Sequence, residues 1–445
     1  MKGHGTLRVS RRSFLPAAAA TALAPTVARG ADPRQAGLCT PTIPPYPTPE
    51  RPPPQRNWLD FSHAEVELAF RNHGMLEELL SYPITPRGGH YLLVHFDIPR
   101  LSEDGYTVAI GGRVQAPRKL ALSEIKSRQA INQVVTMECA GAGRHKLSPR
   151  PVYVPWGDRC IGTYQWTGTP LAPLLQQAGL LDDAVEVLFT GWDSGVDLGV
   201  EHAFERSLPV ADAMHPEVML AWAANGEPLS PEHGFPLRLV VPSWYGMASV
   251  KWLRAITVLN EPFKGVQQEQ VYRYTRSADD PGEPVREKRV RSVMLPPGIP
   301  DLQSRWRFVA PGEQMLQGVA WSGNGPVAAV EVSLDGGGSW SPARLSPVSN
   351  DPFAWVQWQA PWSAKEGMYS LMCRATDARG ATQPLDPNEV WNYQGNGINS
   401  VQQVQAVVQD GVGSASAAVP STPRLVLQGG KLPERPGVAN EVASL

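Results

Sequence analysis

The chain has 445 residues, of which 42% are hydrophobic and 18% are charged, so it can bury the cores of about two or three domains. Forty Lys and Arg residues against 42 Asp and Glu residues leave a net charge of −2, which disfavours a nucleic-acid-binding surface as its main function. The four cysteines are too few for a disulfide scaffold. None of them forms a Cys-x-x-Cys pair, so covalent haem attachment, zinc ribbons and thioredoxin chemistry are unsupported.

The first 30 residues have the layout of an export signal. Arg11 and Arg12 lie in the run Ser-Arg-Arg-Ser-Phe-Leu, an Ala-rich stretch follows, and small residues occur near Ala28 and Gly30. The apolar stretch is too short and too rich in alanine to span a membrane. We therefore predict a twin-arginine signal peptide over residues 1–30 and a periplasmic or otherwise exported protein. The alternative is a chance Arg-Arg pair before an Ala-rich helix.

Residues 31–56 are rich in proline and predict an extended arm or linker, since proline fits neither helices nor central strands. A helical pattern follows within residues 62–80. Over residues 57–265, short apolar runs alternate with helical stretches, which predicts an α+β domain. No Gly-x-Gly-x-x-Gly follows a strand, so a dinucleotide-binding fold is not indicated. The predicted strands are Tyr91–Phe96, Val134–Met137, Val185–Phe189 and Leu237–Val241, and the predicted helices are Leu171–Ala178 and Glu205–Met214.

The pattern changes from about residue 290 to residue 408, where strand-like runs recur with turn signals between them. Residues 334–340, Leu-Asp-Gly-Gly-Gly-Ser-Trp, indicate a hairpin-type turn, because no helix follows them as it would in a phosphate loop. We predict an Ig-like β-sandwich over residues 266–408 and a flexible tail over residues 409–445. The predicted strands are Gln317–Trp321, Ala328–Ser333, Trp355–Gln359, Ser370–Ala375 and Val401–Val408.

The segment around Cys139 carries the strongest candidate chemistry. A predicted strand runs into Cys139, and the small residues at 140–143 let the backbone turn tightly and let a bulky group approach. Arg144, His145 and Lys146 follow, and nearby cations favour the thiolate, which is the nucleophilic and metal-ligating form of cysteine. Taken alone, a single cysteine after a strand is more often an inert core residue.

A second candidate segment lies at residues 229–254. His233 and Arg238 flank a Gly-Phe-Pro turn, and Ser249 and Lys251 follow in a stretch rich in Gly, Pro and Trp. Two basic side chains, a histidine and loop amides suit a bound phosphate or pyrophosphate-like anion. The alternative is a solvated loop with scattered charges.

Together these segments resemble the signature of the sulfite oxidase family of molybdopterin enzymes. The matching runs are Glu-Cys-Ala-Gly at 138–141, His-Gly-Phe-Pro at 233–236, Ser-Val-Lys-Trp-Leu at 249–253, Trp-Ser-Gly at 321–323, Val-Ser-Leu-Asp-Gly-Gly at 332–337 and Trp-Asn at 391–392. The resemblance runs from about residue 91 to residue 408. It implies a molybdenum–molybdopterin cofactor with a single pterin and a bis-oxo molybdenum, in a catalytic domain followed by an Ig-like dimerisation domain.

Carried over residue by residue, the resemblance implies three kinds of role. Cys139 would be the protein thiolate on molybdenum. Arg144, Asp193 and Tyr274 would be catalytic residues of the substrate pocket. The residues that would bind the cofactor are His95, Thr163, His233, Arg238, Ser249, Val250 and Lys251.

Departures from the family's pattern bear on the substrate. Leu93 stands where the family's sulfite oxidases have the arginine of an Arg-Asn-His run, and a second pocket arginine falls near Ala354. Each lost charge-assisted contact to a sulfite anion costs roughly 1.5–3 kcal/mol, or about ten- to a hundredfold in affinity. Sulfite therefore need not be the substrate, and a sulfoxide or another sulfur compound fits a less cationic pocket. Sulfite oxidation with Lys146 or Arg276 entering the pocket remains open.

The sequence thus predicts an exported molybdenum oxidoreductase that transfers an oxygen atom to or from a small sulfur-containing or related substrate. Because the chain has no Cys-x-x-Cys-His, haem would belong to a partner, a periplasmic c-type cytochrome or another electron carrier. The family implies a homodimer, and neither nucleic acid nor a membrane span is expected. The alternative is a non-catalytic exported binding protein that uses the β-sandwich and keeps a vestigial cofactor domain.

The remaining histidines and cysteines are interpreted as structural. His90 and His95 would point to opposite faces of a predicted strand, so no shared site is expected for them. Cys160 and Cys373 are expected to be core residues in a loop and a strand.

Overall fold

The structure is a computed structural model that describes residues 71–151 and 153–412. The predicted signal peptide, the proline-rich arm, the first part of the helical pattern at 62–80 and nearly all of the predicted tail lie outside the described residues. Everything that is described belongs to one compact unit of the chain. Within these ranges, no helix has the length and hydrophobicity needed to cross a membrane.

The described chain up to residue 259 contains most of its helices and its first ten strands. The strands are β1 Thr107–Gly112, β2 Arg118–Ala121, β3 Ile131–Glu138, β4 Ile161–Pro170, β5 Glu186–Asp197, β6 Val200–Pro209, β7 Met219–Ala224, β8 Glu227–Pro228, β9 Arg238–Val240 and β10 Leu253–Leu259. The α-helices are α1 Leu122–Lys126, α2 Ala172–Ala178 and α3 Val210–Ala213. Short 3-10 turns cover Glu77–Ser81, Arg144–Lys146, Pro231–His233 and Gly246–Ala248.

The described chain after residue 259 is almost entirely β, apart from a π-helical turn and a 3-10 turn. Its strands are β11 Arg273–Tyr274, β12 Glu283–Pro284, β13 Arg291–Leu295, β14 Ile299–Pro300, β15 Arg307–Val309, β16 Gly312–Trp321, β17 Val327–Ser333, β18 Ser341–Pro342, β19 Arg344–Pro347, β20 Val356–Ala364, β21 Gly367–Asp377 and β22 Gln402–Val408. The π turn covers Gln267–Val271 and the 3-10 turn Pro387–Val390.

The described chain up to residue 259 contains two β-sheets. One has the strand order β2-β1-β10-β5-β6, and the other has the order β3-β4-β7-β8 with β9 paired to β7. A large apolar core contains Val108, Phe189 and Ile256 from the first sheet and Leu220 and Leu239 from the second. Because apolar faces of both sheets enter one core, the end of β3 and the β9–β10 connection are held close together.

The second part is a β-sandwich. One sheet has the order β13-β16-β20-β19 and the other the order β14-β15-β22-β21-β17-β18. Leu316 and Trp358 from the first sheet share a buried core with Val330, Leu371 and Ala406 from the second. Each strand predicted after residue 315 overlaps a strand of these sheets, so these sequence predictions are confirmed.

The described chain is mostly β, and the predicted share of helix is too high. The predicted helix Glu205–Met214 is wrong over most of its length, because residues up to Pro209 form β6 against β5 and only α3 is helical. The predicted strand Tyr91–Phe96 is also wrong: this segment is not in a sheet and makes a single β-bridge, between Leu92 and His73. The helix at 171–178 and the strand at 237–241 are confirmed within one residue at each end. The strand at 134–137 lies inside β3, and the strand at 185–189 matches only the first part of β5, which continues to Asp197.

Candidate active site

Residues 139–146, here called the Cys loop, turn back sharply after β3. Gly143 has a φ of 82°, in the left-handed region that favours glycine. A side chain at Gly143 would collide with the carbonyl oxygen of Ile398. The Ala142 amide donates to the Cys139 carbonyl oxygen at 3.0 Å, closing the turn. The small residues after the cysteine therefore allow both the turn and the close approach of the β-sandwich.

A buried ion-pair cluster ties the Cys loop to the β-sandwich. Arg291 Nε lies 2.9 Å from Glu138 Oε1, and Arg291 Nη1 donates to Asp158 Oδ1 at 2.9 Å. Lys146 Nζ lies 2.7 Å from the same Asp158 oxygen. Trp321 Nε1 donates to Glu138 Oε2 at 2.8 Å. Lys146 is thus held in this cluster and does not enter the pocket, as one sequence interpretation had allowed.

Cys139 lies on a wall that two cavities share, with only 4% of the residue exposed. The first, here called the basic cavity, contains His233, Arg238 and Lys251 and has a volume of about 580 Å³ including its open part. The second, here called the aromatic cavity, contains Arg144, Tyr153 and Trp156 and has about 1120 Å³. The residues that line both cavities are Leu93, His95, Cys139 and Tyr272. One thiol therefore faces two spaces of different chemistry.

The basic cavity is built from the segment that the sequence singled out. Arg238 is held by hydrogen bonds from Nη1 to the His233 carbonyl oxygen and from Nη2 to the Ser249 carbonyl oxygen, both at 2.9 Å. Lys251 Nζ donates to the carbonyl oxygens of Leu93 at 2.8 Å and Glu232 at 2.9 Å. The two cations are thus fixed by neutral backbone acceptors, which leaves their charge available to an anion.

Burial sets the protonation of the basic cavity. It lowers the pKa of His233 to about 2 and that of His90 to about 3, so both imidazoles are neutral near pH 7. Burial also lowers the pKa of Lys251 to about 7, with Arg238 adding to the effect, and lowers the pKa of Arg238 to about 10. Because these shifts reflect charge that lacks solvation, a bound anion would raise the Lys251 pKa and be held by it.

Two buried polar atoms near the cavity have no hydrogen-bond partner among the described residues: His90 Nε2 and Asp193 Oδ1. Both residues line the basic cavity. Burial raises the pKa of Asp193 to about 6, while Lys251 acts in the opposite direction. Buried atoms of this kind are normally satisfied, so they indicate groups prepared for a ligand.

The aromatic cavity has Arg144 in its wall. Arg144 Nη1 donates to the Val154 carbonyl oxygen at 3.0 Å, and Nη2 donates to Asn396 Oδ1 at 3.3 Å. Its Nε donates to the carbonyl oxygens of Gln394 and Gly395, at 3.1 and 3.2 Å. The β-sandwich loop at 394–396 therefore orients the arginine that the resemblance assigned to the substrate pocket.

Tyr272 and His95 form the partition between the cavities. The Tyr272 hydroxyl and His95 Nε2 share a hydrogen bond of 2.8 Å. Burial lowers the pKa of His95 to about 3 and raises that of Tyr272, so both groups are neutral near pH 7. The Arg206 guanidinium carbon lies over the Tyr272 ring, 5.3 Å from its centroid.

Some predicted site residues lie elsewhere. Tyr274 lines neither cavity, and its ring lies 4.4 Å from the Arg289 guanidinium carbon. The Thr163 hydroxyl is paired with that of Thr136 at 2.7 Å. Val250 is fully buried in the core beside the basic cavity. Neither cavity is lined by Thr163, Val250, Ala354 or Arg276.

Tyr272 and His90 are the functional candidates that sequence reasoning missed. Tyr272 is two residues from the predicted Tyr274, in a segment that matches the family's pattern poorly. Shifting the match to the family's pattern by two residues in this segment would have identified Tyr272. His90 was set aside on the premise of a strand at 91–96. Since that segment is not in a sheet, His90 and His95 both reach the basic cavity.

The expected thiolate is not favoured by the chain alone. Burial raises the pKa of the Cys139 thiol to about 11, and Arg144, the largest opposing influence, does not overcome it. The adjacent Arg144 thus favours the thiolate as expected, but in the protein without a metal burial outweighs its effect on the pKa. A metal cation at the sulfur would itself favour the deprotonated form. Within the described residues, no group of three His, Cys, Asp or Glu side chains is placed to hold a metal ion.

Comparison with known proteins matches both parts of the chain. A family model described as an oxidoreductase molybdopterin binding domain matches residues 95–267. A second, described as a Mo-co oxidoreductase dimerisation domain, matches residues 289–408. Together the two models span the Cys loop, the β9–β10 segment with Arg238 and Lys251, and most of the β-sandwich.

Individual relatives and a solved structure agree with these models. The chain is 32% identical to mitochondrial sulfite oxidase of Homo sapiens over 345 residues, 73% of this chain but only 62% of the human protein. It is 30% identical to sulfite oxidase of Arabidopsis thaliana over 355 residues, 71% of this chain and 86% of the plant protein. The sulfane dehydrogenase SoxCD of Paracoccus pantotrophus superposes with a TM-score of 0.62 at 25% identity, covering 84% of this chain and 96% of that one.

Proposed function

Because this chain belongs to the sulfite oxidase family of molybdopterin-dependent oxidoreductases, we propose that it transfers an oxygen atom to or from a small sulfur-containing or related substrate. The observation that carries the proposal is the position of Cys139, whose thiol faces a cation-rich cavity on one side and an aromatic cavity on the other. A metal at this sulfur would meet a bound anion from one space and a substrate from the other.

The residues present fit a molybdenum–molybdopterin cofactor. Cys139 supplies one buried sulfur ligand, and the buried Arg238 and the partly buried Lys251 supply cations for an anionic phosphate. His90 Nε2, unpartnered and buried, supplies a further hydrogen-bonding atom. When bound, the cofactor supplies oxygen-atom transfer and two-electron redox chemistry, and the protein supplies binding, orientation and electrostatics.

The chain's own groups then have separable tasks. Arg144 uses one N–H of each guanidinium nitrogen on fixed acceptors, which leaves two N–H groups to orient a substrate oxygen. Tyr272, hydrogen-bonded to His95, presents a neutral hydroxyl at the partition between the cavities. In the oxidative direction, water provides the oxygen atom, and two protons and two electrons leave for each sulfur atom oxidised.

We also propose the setting in which this reaction occurs. The electrons pass to or from a separate carrier, for which a periplasmic c-type cytochrome is our candidate, because no Cys-x-x-Cys-His stands in the sequence. The run at Arg11 and Arg12 supports export by the twin-arginine route. The description of the family model over residues 289–408 supports a homodimer built on the Ig-like β-sandwich.

The test is metal analysis and turnover of protein produced in a molybdopterin-competent cell. We expect close to one molybdenum per chain, and reduction of ferricyanide when a sulfur substrate is added. Cys139→Ser should abolish turnover while the fold is kept. Cys373→Ala, in the β-sandwich core, is the matched control and should retain both metal and turnover. A wild-type protein without molybdenum, or an active Cys139→Ser variant, would contradict the proposal.

A further inference from the structure

The walls of the aromatic cavity are mainly apolar. Among the residues that line it are Phe96, Tyr153, Val154, Trp156, Val196 and Val271. Leu93 adds an aliphatic side chain to the wall that this cavity shares with the basic cavity, next to Cys139. A space with such walls, about 1120 Å³ including its open part, favours a molecule that brings apolar surface of its own.

The charge in this cavity is balanced. Among the described residues, Arg144 is the one Lys or Arg in its lining, and Asp197 contributes a carboxylate to the same lining. His95 is neutral because burial lowers its pKa to about 3. The buried Arg206 lies over the Tyr272 ring and does not line this cavity. A doubly charged anion would therefore be desolvated beside one cation and one carboxylate, which is unfavourable.

The edge of the cavity is apolar as well. Val196 lies in its lining and is nevertheless 67% exposed, so this side chain stands where the cavity meets solvent. It belongs to the β5–β6 hairpin, whose tip also presents Leu198 and Val200, 55% and 45% exposed. An entering molecule thus passes apolar side chains before it reaches Cys139.

We propose that the substrate is an uncharged sulfur compound with an apolar substituent, of the thioether or sulfoxide class, and that Leu93 and Asp197 determine this specificity against anions. The inference rests on the proposed oxygen-atom transfer. In the oxidative direction, a thioether and one water give a sulfoxide, two protons and two electrons. A one-electron acceptor such as ferricyanide takes the two electrons in two steps, and the sulfur gains one S–O bond.

The test compares neutral and anionic probes on the molybdenum-loaded enzyme. Methyl phenyl sulfone and sulfate, which are fully oxidised, report binding by isothermal titration calorimetry. Methyl phenyl sulfide and sulfite report kcat/KM with ferricyanide. We expect the wild type to bind the sulfone at least about tenfold more tightly than sulfate and to prefer the sulfide over sulfite by a similar factor.

Leu93→Arg should shift both the sulfone-to-sulfate affinity ratio and the sulfide-to-sulfite kcat/KM ratio toward the anion. We expect a shift of about ten- to a hundredfold, the effect of one charge-assisted contact. Asp197→Asn should shift them in the same direction by a smaller factor. Leu302→Arg adds the same charge at a side chain that is 84% exposed and outside both cavities, and it should leave the ratios unchanged.

Sulfate binding as tight as sulfone binding, or equal ratios for Leu93→Arg and Leu302→Arg, would overturn this inference. If sulfite is nevertheless oxidised, the proposed function stands. Turnover of neither substrate by a molybdenum-loaded wild type contradicts the proposed function instead, and the calorimetric ratio still decides whether the cavity prefers neutral ligands.

Discussion

Tyr272 is a candidate active-site residue because of where its side chain lies. Its hydroxyl is 2.8 Å from His95 Nε2, and both residues line the two cavities that meet at Cys139. Tyr274, which the sequence motif indicated, packs against Arg289 outside both cavities. Of the two tyrosines, Tyr272 is thus the one whose side chain borders the cavities.

The two tyrosines therefore form a matched pair for mutagenesis. Tyr272→Phe removes a hydroxyl that faces the reacting region, and we expect kcat/KM to fall by about tenfold or more, the range of one lost transition-state hydrogen bond. Tyr274→Phe should change it by less than about twofold. Steady-state kinetics on proteins of equal molybdenum content measures both, and a larger loss in Tyr274→Phe would reverse the assignment.

Burial of neutral histidines makes stability depend on pH. The pKa of His90 is about 3 in the folded protein against about 6.5 when unfolded, so below pH 6.5 the unfolded state takes up a proton that the folded state refuses. The free energy of unfolding therefore falls as the pH is lowered, by up to about 1.4 kcal/mol per pH unit for each such group. His233 and His95, with pKa values of about 2 and 3, act in the same direction.

His90→Phe isolates one of these contributions. The variant keeps a ring against Tyr91 and Tyr164 but cannot titrate. Between pH 7 and pH 5 the wild type should lose about 2 kcal/mol more unfolding free energy than the variant, as measured by chemical denaturation. Between pH 7 and pH 8 the two proteins should respond alike. Identical losses between pH 7 and pH 5 would show that His90 is not buried as a neutral ring.

At the scale of single residues, the sequence is informative where a motif and its contacts lie in one segment. Arg238 and Ser249 both line the basic cavity, and Arg238 Nη2 donates to the Ser249 carbonyl oxygen. Thr163 lines neither cavity, and its hydroxyl pairs with that of Thr136 across the β3–β4 ladder, a long-range contact that the motif does not encode. The same holds for Tyr272, which depends on contacts with a segment almost 180 residues earlier.

Secondary structure elements likewise divide into those that the local sequence determines and those that long-range pairing determines. Strands of the β-sandwich were predictable because β-branched and aromatic residues alternate between turn signals. Residues 205–209 carry helix-forming residues, yet pairing with β5 in a long hairpin overrides that propensity. Residues 91–96 line the cavities and pack into the apolar cores without pairing in a sheet, so their hydrophobicity misled the strand prediction.

The molecule as a whole joins its catalytic part to the β-sandwich through buried charge. Glu138 directly precedes Cys139 and is 0% exposed, and its partner Arg291 begins β13 at 1% exposure. Arg291 also donates to the carbonyl oxygen of Ala142 in the Cys loop, at 3.0 Å. The loop that presents the sulfur is therefore stabilised by a residue from the other part of the chain, so the two parts should not be separable without loss of the site.

Removing one member of this cluster should consequently destabilise the whole protein. Arg291→Met leaves Glu138 buried without its partner, and we expect the free energy of unfolding to fall by about 3–5 kcal/mol. Asp183→Ala breaks the exposed pair between Arg113 and Asp183, 2.5 Å apart with side chains 43% and 48% exposed, and should cost no more than about 1 kcal/mol. Guanidinium titrations of both variants measure the difference in unfolding free energy.

A double variant tests the physical cause of this loss. Adding Glu138→Gln to Arg291→Met should recover part of the lost unfolding free energy, because the unpaired buried charge is then gone. Equal costs for the buried and exposed pairs would mean that the cluster does not couple the two parts.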